Sequence, residues 1–255
     1  MPYINFPSFE RRSLLAHKRK PIRSTSTAYR TAGIIGGLGQ PSTSLFYESI
    51  TKICQDKRLA ANPRLLINSV NTWEVTEILD QKDLEALYFF LKREINILAG
   101  QIDFLVMVCN SVHAVLTPLR EYFNFPILSI YEEVCKEVAL SQYRKVGILG
   151  TQTTIQNEFY QRELQTYGIQ YTLLPAHETE ALDQCLFTEV LQGIGNHRMK
   201  QLLLNGVDWL SQTGCEAIIL ACTELPLFIQ QTDTEVPLLS STEILAKTVV
   251  EECFR

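Results

Sequence analysis

The 255-residue chain contains no Cys-x-x-Cys pair and no cysteine–histidine cluster with zinc-ligand spacing, which argues against a structural metal site. Its seven cysteines are odd in number, irregularly spaced and mostly inside predicted strands and helices. That usage fits a reducing cytoplasm rather than a disulfide framework. No apolar run approaches the roughly 20 residues of a membrane span, and no signal-peptide core stands near the start, so neither a membrane nor an exported location is expected. Positive charge is scarce in the body: residues 31–255 carry 16 Lys/Arg against 27 Asp/Glu, a balance of −11 that argues against a nucleic-acid partner.

The basic residues that are present concentrate at the start. Residues 1–30 hold seven Lys/Arg against the single Glu10, with Arg11-Arg12 and Lys18-Arg19-Lys20 ahead of a Ser/Thr run. A solvated arm is the plain reading, with a targeting peptide or a packing arm as alternatives. The remaining length is enough for a sizeable core in one large or two modest domains.

Two stretches read as one used twice. Residues 103–109 form an apolar run that stops at Cys109 and continues as Asn110-Ser111; residues 216–222 do the same at Cys222, followed by Thr223-Glu224. Upstream stand Gly33-Ile34-Ile35-Gly36-Gly37 and Gly147-Ile148-Leu149-Gly150-Thr151, and downstream Phe125-Pro126-Ile127-Leu128-Ser129 and Val236-Pro237-Leu238-Leu239-Ser240. The shared order and offsets indicate a duplication, although any alternating α/β chain offers several such strand ends. Each half therefore reads as a buried strand delivering a thiol to the start of a helix, where unpaired N–H groups favour a thiolate or hold a carboxylate.

Strands are predicted at 31–35, 64–70, 104–108, 126–128, 145–149, 169–173, 216–221 and before Ser240. Helices are predicted over 42–57, 83–99, 112–122, 130–140, 154–167, 180–191, 196–212 and 242–253. Alternation of this kind gives an α/β fold of two pseudo-symmetric Rossmann-like domains, each with a parallel sheet, and an active-site cleft between them. The expected boundaries are a basic arm at 1–30, a first domain from 31–129 with 240–255, and a second domain at 130–239. Facing strand ends would set Cys109 opposite Cys222.

Two thiols on opposite faces of one carbon can exchange its proton, one withdrawing it as thiolate and the other delivering it as thiol. Removing an α-proton from an amino acid needs such positioning, because the carbanion is poorly stabilised. Asn110, Ser111, Thr223, Ser42 and Thr43 are suited to hold an α-carboxylate, and Gly37 and Asn68 complete the candidate substrate contacts. His113, one turn past Cys109, is placed to tune that thiol or is an ordinary packed histidine. Glu224 either orients the second thiol or the substrate's amino group, or is simply a first-turn carboxylate.

The opening Gly36-Gly37-Leu38-Gly39-Gln40-Pro41-Ser42-Thr43, the motif Cys109-Asn110-Ser111-Val112-His113 and the motif Ala221-Cys222-Thr223-Glu224 together resemble the aspartate/glutamate racemase superfamily, within it the aspartate racemase branch. The resemblance runs from about residue 31 to the end. It implies cofactor-independent racemisation of a small amino acid by the two cysteines, and commonly a homodimer. Members of that family usually hold the distal carboxylate with a lysine in the segment matching residues 175–183, and some use an arginine after the second strand. Neither cation stands here: Glu178, Glu180 and Asp183 occupy the first segment, and Asn68, Asn71 and Trp73 follow the second strand. An aspartate/glutamate racemase is thus one expectation and a racemase of a non-acidic amino acid its alternative, with His177 or Arg198 as other sources of charge. A hydantoin racemase or maleate isomerase, a non-catalytic small-ligand binder, and a nucleotide-binding protein are the further alternatives; the last is weakened by a glycine loop without its third glycine.

Overall fold

The computed structural model describes residues 29–190 and 197–255. Most of the basic arm therefore lies outside the described residues, as do the end of the helix predicted over 180–191 and the start of the one predicted from residue 196.

The first half runs β1 (Thr31–Gly36), α1 (Gln40–Asp56), β2 (Arg64–Ser69), α2 (Thr72–Asp80), α3 (Leu84–Asn96), β3 (Phe104–Met107), α4 (Leu116–Tyr122) and β4 (Ile127–Leu128). The second runs α5 (Ile130–Leu140), β5 (Lys145–Leu149), α6 (Gln152–Gln156), α7 (Phe159–Thr166), β6 (Gln170–Leu173), α8 (Ala176–Cys185), α9 (His197–Gln212), β7 (Ala217–Leu220), β8 (Leu238–Ser240) and α10 (Ser241–Cys253). The strands make two four-stranded parallel sheets of the same order, β2-β1-β3-β4 and β6-β5-β7-β8. In each, the chain leaves the first strand towards one edge and returns on its other side. The switch points fall between β1 and β3 and between β5 and β7, where open α/β sheets leave a crevice beyond the strand ends.

The central strands are apolar throughout because helices cover both faces. Val75, Leu87, Leu91 and Ile95 of α2 and α3 pack on one face of the first sheet. Phe46 and Ile50 of α1 cover the other, joined by Leu245, Val249 and Val250 of α10. The last helix thus returns to the first sheet after β8 has closed the second. It also touches α5, where Lys247 Nζ meets Glu137 Oε2 at 2.9 Å. Val134, Val138 and Leu164 pack on one face of the second sheet, and Leu182, Leu203 and Val207 on the other.

Four elements depart from expectation, each for a local reason. The helix predicted over 154–167 is cut into α6 and α7 by Glu158, which sits in the left-handed region at φ 57°. Helix α2 was not expected; Asn71 caps it by accepting from the Trp73 N–H at 3.1 Å, but Val75 alone of its residues is fully buried, so its apolar pattern is faint. Residues 176–185 form α8 earlier than predicted and continue as a π turn, Leu186–Val190. No α-helix follows Cys222: Pro226 lies in a single 3₁₀ turn, Leu225–Leu227, and a second such turn, Ser111–Val115, precedes α4.

Candidate active site

Cys109 stands two residues beyond β3 and Cys222 two beyond β7, at equivalent switch points. Both line one cavity of about 90 Å³. Their proximity is electrostatic as well as spatial, since each charge on Cys109 makes ionisation of Cys222 harder.

Neither thiol is pre-ionised, contrary to what a helix start would give. Burial pushes Cys109 up to about 11, and the Glu224 carboxylate adds to the rise; the N–H groups of Val112 and Ser111 and the Ser111 hydroxyl act against it and lose. Burial and then Glu224 also raise Cys222. The physical reason is that a 3₁₀ turn supplies only two or three aimed N–H groups, too few to offset removal from water.

Glu224, itself buried, is the hub of the site. Its Oε2 accepts from the Cys222 thiol at 3.1 Å and from the Thr223 hydroxyl at 3.0 Å, while Oε1 lies 3.0 Å from the Ser42 hydroxyl. Ser42 is fully buried at the start of α1 and shares its one proton between Glu224 and the Gly39 carbonyl at 2.8 Å. Gly39 makes room for this arrangement. A Cβ there would stand 1.7 Å from Glu224 Oε1 and 2.8 Å from Ser42 Oγ.

That contact carries a prediction. Gly39→Ala must drive Glu224 off its hydrogen bonds, so kcat/KM should fall roughly a hundredfold and stability by about 1–3 kcal/mol. Thermal melting and turnover of the single variant, and of a Gly39→Ala/Glu224→Ala pair, check it. Recovery of stability in the pair, without recovery of rate, is the expected signature; equal melting of all three proteins would contradict it.

Asn110 is held from both halves. The buried Tyr160 hydroxyl of α7 donates to Asn110 Oδ1 at 2.6 Å, and Asn110 Nδ2 donates to Ser241 Oγ of α10 at 3.4 Å. His113 does not reach the Cys109 sulfur. Its Nε2 accepts from the Ile130 N–H at 3.3 Å, which leaves the proton on Nδ1 to bond the Cys109 carbonyl at 2.8 Å. Burial lowers it to about 4, so it is a neutral brace for the backbone that carries the thiol.

The cavity thus brings together Cys109, Asn110, Ser111, Cys222, Thr223 and Glu224. Ser42 joins through Glu224, whereas Gly37 and Thr43 shape the loop behind it, the Gly37 N–H donating to Thr43 Oγ1 at 2.9 Å. A side chain at Gly37, φ 78°, would strike the Val70 carbonyl. Asn68 is not brought in: its amide donates to Glu94 Oε2 at 2.9 Å on α3. Walls that sequence reasoning missed are Thr72, Thr76, Leu79 and Asp80 of α2, Thr151 with Thr153 and Thr154 at the start of α6, and Leu186 with Phe187. This threonine-rich helix start occupies the place in the second half that the glycine loop and the start of α1 hold in the first, so the repeat itself could have found it. Nothing in the sequence marks Leu186 and Phe187.

Among the described residues no Lys, Arg or His lines the cavity. His177 is exposed on α8, with 81% of its side chain open. Asp183 does not face the cavity as a repelling charge but accepts from the Gln152 N–H at 3.0 Å, fastening the start of α6. The acids at the wall are Asp80 and Glu224.

The Asp/Glu/hydantoin racemase family matches residues 35–249, and the chain belongs to that family. The broad specificity amino-acid racemase RacX of Bacillus subtilis is 28% identical over 223 residues, 86% of this chain and 96% of that protein. An aspartate racemase homologue from Pyrococcus horikoshii superposes with a TM-score of 0.70 at 27% identity, covering 89% of this chain and 100% of that one. The aspartate racemase of Picrophilus torridus, 20% identical with a TM-score of 0.70 over 88% of this chain and 94% of its own, shares the fold. Glutamate racemases such as that of Glaesserella parasuis match over only 54% of this chain and 51% of theirs, at 25% identity.

Proposed function

We propose that the protein is an amino-acid racemase working without a cofactor, in which Cys109 and Cys222 act on opposite faces of the substrate α-carbon. The observation that carries this reading is the pair of thiols at pseudo-equivalent strand ends in one cavity. One thiolate withdraws the α-proton while the opposite thiol supplies another, and the reverse direction exchanges the roles. Neutral His113 fixes the backbone under Cys109, Tyr160 and Ser241 fix Asn110, and Glu224 orients the Cys222 thiol that donates to it. Support also comes from RacX, whose name describes amino-acid racemisation of broad specificity, at near full length.

Of the two substrate classes, a non-acidic amino acid fits better, because the cavity offers a second carboxylate no cation and sets Asp80 at its wall. Incubation of a panel of single enantiomers in deuterated water tests both statements. Exchange at the α-carbon with appearance of the opposite enantiomer is expected for neutral amino acids; absence of exchange with every amino acid would refute the racemase reading. Preferred turnover of aspartate or glutamate would refute the non-acidic assignment alone.

A further inference from the structure

A second hollow of about 290 Å³ opens from the thiol cavity, with Thr72, Thr76 and Phe187 shared by both walls. Beyond those shared residues it is bounded by Gly39, Gln40, Pro41, Asn71 and Trp73. Trp73 is 82% exposed and Phe187 45%, and they belong to opposite halves of the molecule, α2 and the turn after α8. We propose that this hollow is the subsite for the substrate side chain and that it takes large, non-anionic side chains, aromatic or long aliphatic. The inference rests on the racemase reading above and adds the substrate class.

Three observations carry it. The space around the sulfurs is the smaller of the two. The shared wall gives a side chain that extends beyond the reacting carbon the larger hollow of about 290 Å³, against about 240 Å³ for the hollow that adjoins the cavity at Leu79, Ser111 and Thr153. The hydroxyl protons at that wall are already committed: the Thr72 hydroxyl donates to the Gly37 carbonyl and the Thr76 hydroxyl donates to the Thr72 carbonyl at 3.0 Å, while Asn71 Oδ1 nearby accepts from the Trp73 N–H. Both threonines therefore offer methyl groups rather than donors to an incoming chain. Finally, none of the residues bounding the hollow is charged, and the thiol cavity beside it is lined by Asp80 and Glu224, so a carboxylate would find repulsion without a partner. Two exposed rings beside such a gap gain most by covering a ligand of matching size.

The test uses the full chain and four substrates, alanine, aspartate, methionine and phenylalanine, with racemisation followed by chiral chromatography. Wild type is expected to prefer methionine and phenylalanine over alanine in kcat/KM, and to turn over aspartate at least about a hundredfold less well than methionine. Trp73→Ala is expected to cut the methionine-over-alanine preference about tenfold, through KM, and Trp73→Phe to restore most of it. Phe187→Ala should act in the same direction. The exposure of Trp73 makes loss of folding at that position no alternative explanation. Aspartate as the best substrate, or an unchanged methionine-over-alanine ratio in both alanine variants, would overturn the subsite while leaving cysteine-dependent racemisation standing. Racemisation that survives replacement of both cysteines would instead overturn the racemase reading.

Discussion

Replacing Cys109 or Cys222 by serine abolishes interconversion of enantiomers, by at least about a thousandfold, and leaves each variant able to exchange the α-proton of one enantiomer only. A serine hydroxyl is too weak an acid to provide the oxyanion base, but the remaining thiol still faces its own side of the carbon. The Cys109→Ser enzyme therefore washes deuterium into the enantiomer whose proton points at Cys222, without inversion, and Cys222→Ser does so for the other. The asymmetry appears only in exchange. Two enantiomers have equal free energies in water, so kcat/KM for racemisation must be the same from either side in any variant. Proton NMR of each enantiomer in deuterated water, beside chiral chromatography, separates the two quantities. Exchange of the same enantiomer by both variants would mean that the sulfurs do not flank one carbon.

What made this site legible was the repeat, and what hid the rest was burial. Cys109 and Cys222 end apolar runs of equal length at nearly equal offsets from a glycine-ended strand, and a four-stranded parallel sheet turns that offset directly into position. The same reading misjudged the thiols' ionisation. A sequence shows that polar residues follow a cysteine but not how much water the fold removes from it, and here removal of water outweighs the N–H groups of Ser111 and Val112. Glu224 was visible as a residue beside Cys222, but its contact with Ser42 spans 182 positions and depends on the missing side chain at Gly39. Asn68 shows the opposite failure. It lies near the C-terminal end of a strand, yet that strand is the edge strand β2 and its amide turns to α3. Helix α2 and the π turn carry walls of the site on elements with almost no buried stripe, and a helix without such a stripe leaves little periodic signal to find.

Glu224→Gln lowers the pH at which both thiols ionise, a change that simple loss of packing would not produce. Beside the Glu224 carboxylate a thiolate is a second negative charge in a buried space, and that repulsion follows burial as a cause of the rise of Cys109 to about 11. The same charge acts upward on Cys222, whose thiol stands 3.1 Å from Glu224 Oε2. Glutamine keeps the shape of the side chain and removes its charge, so both thiols move down from their raised values. The limb of the kcat/KM profile that rises as a thiol becomes thiolate therefore shifts to lower pH in the variant, and alkylation of the thiols as a function of pH shows the same displacement. Thiols that alkylate in Glu224→Gln with the wild-type pH dependence would mean that the Glu224 charge does not act on them.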